Sequence, residues 1–252
     1  MEKELIKVRD LVKCFQLENT AQTILDHIDC AICKGDFTVI MGASGSGKST
    51  LLYALSGMDT VTEGQVIFGG TDITKLSSDE MAMFRRNHCG FIFQQRCLIG
   101  SMNVLNNVLA AGLLKKGNKE ELVKRSMELL CAVGIEEHTW KKYPAQISGG
   151  KGARVGIVRA LINEPEVLFA DEPTGSLNSK SGEDVLDLFT EFNNKGQTIV
   201  MVTHDIKSAL RGNRILYLKD GKIVDELFLG PYKADDELRK EKLDHFLDKM
   251  KW

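Results

Sequence analysis

The chain has 252 residues, 43% of them hydrophobic and 27% charged, with a formal net charge of −2. That length and balance suit an α/β domain, with or without a subdomain, and allow a large apolar interior. They exclude the strongly basic character that sequence-blind nucleic-acid binding needs, so no nucleic-acid partner is expected.

The first residues, MEKELIKVRD, carry no apolar core of the kind a signal peptide needs, and a cytoplasmic location is the expectation. The six cysteines are scattered without disulfide-scaffold spacing. Cys30 and Cys33 lie in the alternating stretch ILDHIDCAIC. Side chains at i and i+3 of a strand point to opposite faces, which argues against a redox or metal role.

The first 35 residues alternate like strands, in LIKVRDLVKCF and TILDHIDCAI. FTVIM then runs as a strand into a glycine loop and the helix STLLYALSG. GQVIFGG reads as a strand, SSDEMAMFRRNH as a serine-capped helix and GFIF as a short buried strand. Residues 97–163 turn helical, with Leu122, Met127, Leu129, Leu130 and Val133 spaced mainly by three and four along one predicted helix. EVLFA and TIVMVT are continuous apolar runs, as in parallel strands covered on both faces. RILYLKD and KIVDELFL, joined through Asp220 and Gly221, form a predicted hairpin. The tail KADDELRKEKLDHFLDKMKW places Leu243, Phe246, Leu247 and Met250 on one helical face.

The uncharged run 97–114 approaches membrane-spanning length, but Ser101, Asn103, Asn106 and Asn107 would bring unpaired polar groups into hydrocarbon. A buried or partner-facing helix is expected instead. Leu98, Ile99, Met102, Val104 and Leu105 supply apolar surface there, and the asparagines suggest a face that is wet before docking.

GASGSGKST matches the phosphate-binding pattern G-x-x-x-x-G-K-[ST] between a strand and a helix. Its residues Gly42, Ala43, Ser44, Gly45, Ser46, Gly47, Lys48, Ser49 and Thr50 are the candidate cradle. Backbone N–H groups would face phosphate oxygens, Lys48 adds a point charge, and the Ser49 hydroxyl would ligate Mg²⁺. In VLFADEP a buried strand delivers Asp171 to its carboxyl end, suited to hold the metal through water, with Glu172 beside it as candidate base for an attacking water.

These motifs, with GFIFQQ, ISGGK, LFADEPTGSLN and MVTHD in this order, resemble the ATP-binding subunits of ABC transporters over roughly residues 4–230. Residues 231–252 are left as an amphipathic helical tail. The resemblance implies a P-loop NTPase (RecA-like) α/β core with an N-terminal antiparallel β subdomain and an inserted α-helical subdomain at about 97–163. It implies ATP and Mg²⁺ as cofactors and ATP hydrolysis as the activity. MGASGSGKSTLL, MFRRNHCGFIFQQ and ADEPTGSL are similar to the macrolide-export, lipoprotein-release and antimicrobial-peptide-resistance branch. Members of that branch work with permeases of the FtsX type, so the chain would sit on the inner face of the cell membrane.

The resemblance also assigns residues. Ser148, Gly149 and Gly150, at the positive end of a helix, would complete the ATP site of a second copy, so two chains would meet head to tail. Lys151 stands where the family has Gln, and with Arg154 it opposes the helix dipole. At ~8 Å and an effective dielectric near 20, one lysine would attract one phosphate charge by about 2 kcal/mol. Asn178 stands where the family usually has Asp. Gln94 resembles the residue that senses Mg²⁺ and water, His204 would touch the γ-phosphate, and Phe15 would stack on adenine. A surface glutamine, a structural histidine and a strand-core phenylalanine are the competing readings. At the level of function, the competitors are a regulatory ATP-binding module with low turnover and a soluble ABC ATPase not tied to transport.

Overall fold

The computed structural model describes residues 3–17, 20–95, 97–234 and 236–252. In chain order the strands are β1 (Glu4–Leu17), β2 (Thr20–Cys33), β3 (Phe37–Met41), β4 (Glu63–Phe68), β5 (Thr71–Asp72), β6 (Cys89–Ile92), β7 (Val167–Asp171), β8 (Thr198–Val202), β9 (Arg214–Lys219) and β10 (Lys222–Phe228). The helices are α1 (Lys48–Leu55), α2 (Ser78–His88), α3 (Val104–Gly112), α4 (Lys119–Ala132), α5 (Glu137–Trp140), α6 (Gly149–Leu161), α7 (Ser179–Asn194), α8 (Ile206–Ala209) and α9 (Glu237–Met250). The chain divides into two compact units, residues 1–82 with 193–252, and residues 83–192. Among the described residues no helix is long and apolar enough to cross a membrane.

The first unit holds an antiparallel sheet in the order β2-β1-β4-β5 and a second group of strands in the order β10-β9-β3-β8. In the second group β3 runs parallel to both β8 and β9. Every residue of β3 and β8 is buried, which is why both segments read as unbroken apolar runs. The hairpin forms as expected: Lys219 pairs with Lys222 across Asp220 and Gly221, whose φ values of 49° and 76° are those of a type I′ turn.

The tail packs on this unit. Leu243, Phe246 and Leu247 are buried, with Met250 only half-buried, and Tyr217 meets the Phe246 ring edge-on at 6.2 Å. Arg239, 2% exposed, had no role in the sequence pattern. Its guanidinium donates to the carbonyls of Leu210 (2.6 Å), Leu229 (3.0 Å) and Gly230 (3.0 Å), and also to that of Gly212. Backbone oxygens thus satisfy a buried cation, the condition under which burial is tolerated.

The second unit is wider than the helical stretch 97–163, since it also takes in β6, β7 and most of α7. β6 and β7 pair in parallel, Phe91 beside Phe169. Its core gathers Val104 and Val108 of α3, Leu130 of α4, Val133 and Ile135 beyond it, Val155 and Val158 of α6, and Ile162. One predicted core residue is displaced. Ser126, Leu130 and Val133 form the inward stripe, and the Ser126 hydroxyl is satisfied by the Leu122 carbonyl at 2.7 Å. Met127, one helical step off that stripe, lies with Val123 in a shallow outer groove edged by Lys119, Glu120, Lys124 and Glu128.

The run 97–114 is a turn followed by α3, not one continuous helix. Asn103 caps α3 by accepting the Asn106 N–H at 2.8 Å. Asn107 is buried; its Oδ1 accepts the Ile99 N–H at 2.7 Å, and its Nδ2 lies 3.0–3.1 Å from the carbonyls of Ile99, Met102 and Asn103. The expectation of a wet asparagine face is therefore corrected. Two of the three asparagines satisfy the local backbone, and only Asn106 is exposed.

Candidate functional site

β3 delivers its carboxyl end to the glycine loop. At Gly42 a Cβ would run into the Leu218 carbonyl of β9, so only glycine allows this approach. The Gly221 N–H bonds to the Ser46 carbonyl at 3.3 Å, and a Cβ on Gly47 would lie 2.9 Å from the Ile24 carbonyl of β2. Two neighbouring strands and a hairpin turn thus shape the loop, a constraint invisible in the motif itself. Ala43, Ser44 and Gly45 form its exposed crest, and Ser46 to Lys48 its buried floor. Ser49 and Thr50 follow, half-buried, in the first turn of α1.

The Lys48 ammonium is 7% exposed and donates at 2.8 Å to both the Gly42 and Ala43 carbonyls. The Ser46 hydroxyl is buried with no hydrogen-bond partner. A cation held inside a glycine loop beside an orphaned hydroxyl fits a phosphate, whose oxygens accept from both. Ser49, Asp171 and Gln94 all offer oxygen donors, the set that suits Mg²⁺ rather than a softer metal.

His204 is exposed just beyond β8. Because β8 pairs with β3, with Ile40 opposite Val202 and the Thr203 N–H on the Ile40 carbonyl at 3.3 Å, His204 and Gly42 leave the same end of adjacent parallel strands. That end is where parallel sheets bind ligands. Phe15, on β1, is 41% exposed, so it is not a strand-core phenylalanine.

In the second unit, four buried residues of β7 precede half-buried Asp171. Glu172 follows with φ 43°, a left-handed backbone uncommon outside glycine, and its carbonyl accepts the Gly175 N–H at 3.1 Å. Gln94 belongs to the same locus. Its Nε2 lies 3.0 Å from where a Cβ on Gly175 would stand, and its carbonyl accepts the Ser176 hydroxyl at 3.1 Å. A narrow cavity there is lined by Gln94, Pro173 and Ser176 and by Ala153, Gly156 and Arg159 of α6. Arg159 donates at 2.5 Å to the Cys97 carbonyl, and burial pushes its guanidinium pKa down. Gln94, the segment after Glu172 and α6 are thereby joined; Ser176 and Arg159 had escaped the sequence reading because neither belongs to a motif quoted for its chemistry.

Ser148 is exposed and caps α6, accepting the Lys151 N–H at 3.4 Å, and no acidic residue stands in the first turn. Gly149 is half-buried, while Gly150 is buried against α7, where a Cβ would lie 2.7 Å from the Ser181 hydroxyl. Lys151 remains half-exposed in the first turn. Arg154 does not join it: its guanidinium pairs with Asp184 of α7 at 3.3 Å. Asn178 accepts the Ser181 N–H at 2.9 Å as the cap of α7, a task Asp and Asn perform equally.

A parallel β3 entering a glycine loop and helix, beside a strand ending in paired carboxylates, defines an α/β P-loop NTPase. A family model described as "ABC transporter" matches residues 25–175, and the chain belongs to that family, carrying its ATP-binding, ATPase cassette. It is 40% identical over 224 residues to the "Macrolide export ATP-binding/permease protein MacB" of Pasteurella multocida, and 41% identical over 224 residues to that of Wolinella succinogenes. Those alignments cover 89% of this chain but 34% and 35% of the relatives, so the chain spans about a third of their length. Among solved structures, the dimeric ATP-binding cassette MJ0796 bound to ADP and Pi matches with a TM-score of 0.83 and 38% identity, over 90% of this chain and 100% of that one. CbiO1 of Clostridium perfringens, "part of the ABC transporter complex cbiONQ", matches with a TM-score of 0.81 and 26% identity, over 98% of this chain and 96% of that one.

Proposed function

We propose that this chain is the ATP-hydrolysing subunit of a transporter, closing head to tail with a second copy on ATP and driving an FtsX-type permease. The observation that carries the reading is α6. Its exposed Ser148 cap and its first turn, free of acidic residues and bearing Lys151, form an anion-accepting helix end in a chain that already has its own P-loop. A cation there disfavours an isolated helix by about 0.3–1 kcal/mol, and a phosphate on a partner copy's P-loop reverses that sign.

In this reading residues 42–50 hold the triphosphate, with Lys48 turning from the loop carbonyls to phosphate oxygens. Ser49, Asp171 and Gln94 hold Mg²⁺, which supplies charge neutralisation at the phosphates. Glu172 takes the proton of the attacking water, His204 orients that water, and Phe15 stacks on adenine. The likeness to macrolide-export proteins, which are named ATP-binding/permease, supports a membrane permease as partner. Export or extraction of a drug, peptide or lipid-linked substrate follows, with the subunit held at the inner face of the membrane through that permease. Residues 1–230 serve as the ATP-binding domain, with the helical insertion at about 97–163, and 231–252 as its packed tail.

The low-turnover alternative rests on Lys151 and Asn178, but the Asn178 cap on α7 is intact, and Glu172 and His204 are both present. A steady-state ATPase assay of the purified chain, alone and with its permease in vesicles, tests the proposal. Multiple turnovers stimulated by the permease support it; stoichiometric binding without turnover in both conditions selects the regulatory module.

A further inference from the structure

Lys13 stands two residues before Phe15 on β1, so the two side chains leave the same face of the strand. Lysine is rarely buried without fixed partners, yet this one is buried. Its Nζ donates to the Thr60 carbonyl at 2.5 Å, pairs with the Asp59 carboxylate at 2.9 Å, and lies 4.7 Å from the centroid of the Phe15 ring.

Asp59 and Thr60 belong to the segment that leaves α1, the helix opened by the P-loop. The N–H groups of Met58 and Asp59 both reach the Tyr53 carbonyl, at 2.9 and 3.3 Å, in the last turn of that helix. Thr62 closes the other side, donating its N–H to the Val12 carbonyl at 2.8 Å and accepting the Cys14 N–H on its hydroxyl at 2.9 Å. Residues 12–14 of β1 are therefore stitched to the far end of the phosphate-binding helix, with Lys13 as the buried knot.

We propose that Lys13 is a positioning residue for the nucleobase. It holds the Phe15 ring from one face by attraction between its ammonium and the ring quadrupole. Through residues 58–62 it also fixes the span between ring and P-loop, so a purine stacked on the ring's other face stays in register with its triphosphate. A cation behind the ring draws π density toward itself and leaves the outer face less repulsive to a stacked base. The inference rests on the proposed stacking of adenine on Phe15.

The test compares Mg²⁺-ATP with Mg²⁺-tripolyphosphate, which has the phosphates and no base, by calorimetry on Lys13→Met, Lys13→Arg and Phe15→Ala. Lys13→Met should weaken ATP about fivefold or more and leave tripolyphosphate unchanged. Lys13→Arg should restore most of the loss, and Lys13→Met should add nothing in the Phe15→Ala background. Equal losses for both ligands, unchanged ATP affinity in a folded variant, or additive effects with Phe15→Ala each overturn the proposal. Should Lys13→Met fail to fold, Asp59→Asn, which loosens the ammonium from a half-buried carboxylate, must give the same base-specific loss, and its absence overturns the proposal. If the unsubstituted chain binds neither ligand, it is the nucleotide-site reading itself that fails.

Discussion

Asn107 holds Ile99 by both backbone atoms, its Oδ1 taking the Ile99 N–H at 2.7 Å and its Nδ2 facing the Ile99 carbonyl at 3.1 Å. The turn after Gln94 is thereby fixed from beneath while the Ile99 side chain stays 44% exposed. Ile99→Glu should leave folding and ATP affinity intact and abolish co-purification with the permease. Asn107→Leu is the contrast: it strips several buried backbone groups of partners and should cost about 2–3 kcal/mol of stability. Pull-down with the permease checks the first and thermal melting the second; an Ile99→Glu chain that still captures permease moves docking elsewhere.

Arg239 ties the tail to the rest of its unit through four backbone carbonyls. Arg239→Met keeps the bulk and removes the donors, so the oxygens of Leu210, Gly212, Leu229 and Gly230 are left buried and unpaired. A loss of about 2–4 kcal/mol is expected, which in a chain of this size lowers the melting midpoint by roughly 5–15 °C. Scanning calorimetry reads it directly. A shift under about 1 °C would mean that the tail contributes little to the fold.

Lys151 is half-exposed, and its reading is as a contact made across the dimer. Lys151→Gln should raise the ATP concentration needed for dimerisation by several-fold, on the order of the roughly 1 kcal/mol that a screened charge pair gives, without changing ATP affinity of the monomer. Titration at two protein concentrations separates the effects. An equal shift in monomer affinity places Lys151 on its own copy's nucleotide.

His27 Nδ1 lies 2.6 Å from the Asp10 carboxylate, and that hydrogen bond, with the charge of Asp10, raises the histidine above its ordinary 6.5. A raised folded-state pKa means that the pairing contributes fully below 6.5 and is lost as pH climbs through the folded value. NMR titration should show His27 deprotonating above 6.5 and returning toward it in Asp10→Asn. An unchanged titration in that variant removes the assigned cause.

Most strands and helices were legible because their burial is simple. β3 and β8 are buried on every residue and read as apolar runs, and the I′ hairpin announced itself through Asp220 and Gly221. The glycine loop was legible for its chemistry, but its clamping by Leu218, Gly221 and Ile24 was not, because strand neighbours distant in sequence leave no local pattern. Arg154 illustrates the same limit: its spacing from Lys151 suggested a second cation for the anion site, whereas Asp184, thirty residues on, claims it. The asparagines of 97–114 misled for a related reason, since a polar side chain that caps a helix or staples a turn looks in sequence like one that faces water. Met127 fell one step outside the core stripe because a spacing of three or four fits two adjacent helical faces.

The central claim is that Ser148 of one copy meets ATP held by the P-loop of another. Light scattering coupled to size-exclusion chromatography, on Glu172→Gln and on Glu172→Gln with Ser148→Arg, each with and without Mg²⁺-ATP, tests it most directly. The account expects the first chain to elute as a dimer only with ATP. The second should stay monomeric in ATP while binding the nucleotide with unchanged affinity. A double variant that dimerises on ATP as readily as the single one, or a Glu172→Gln chain whose mass ignores ATP, contradicts it.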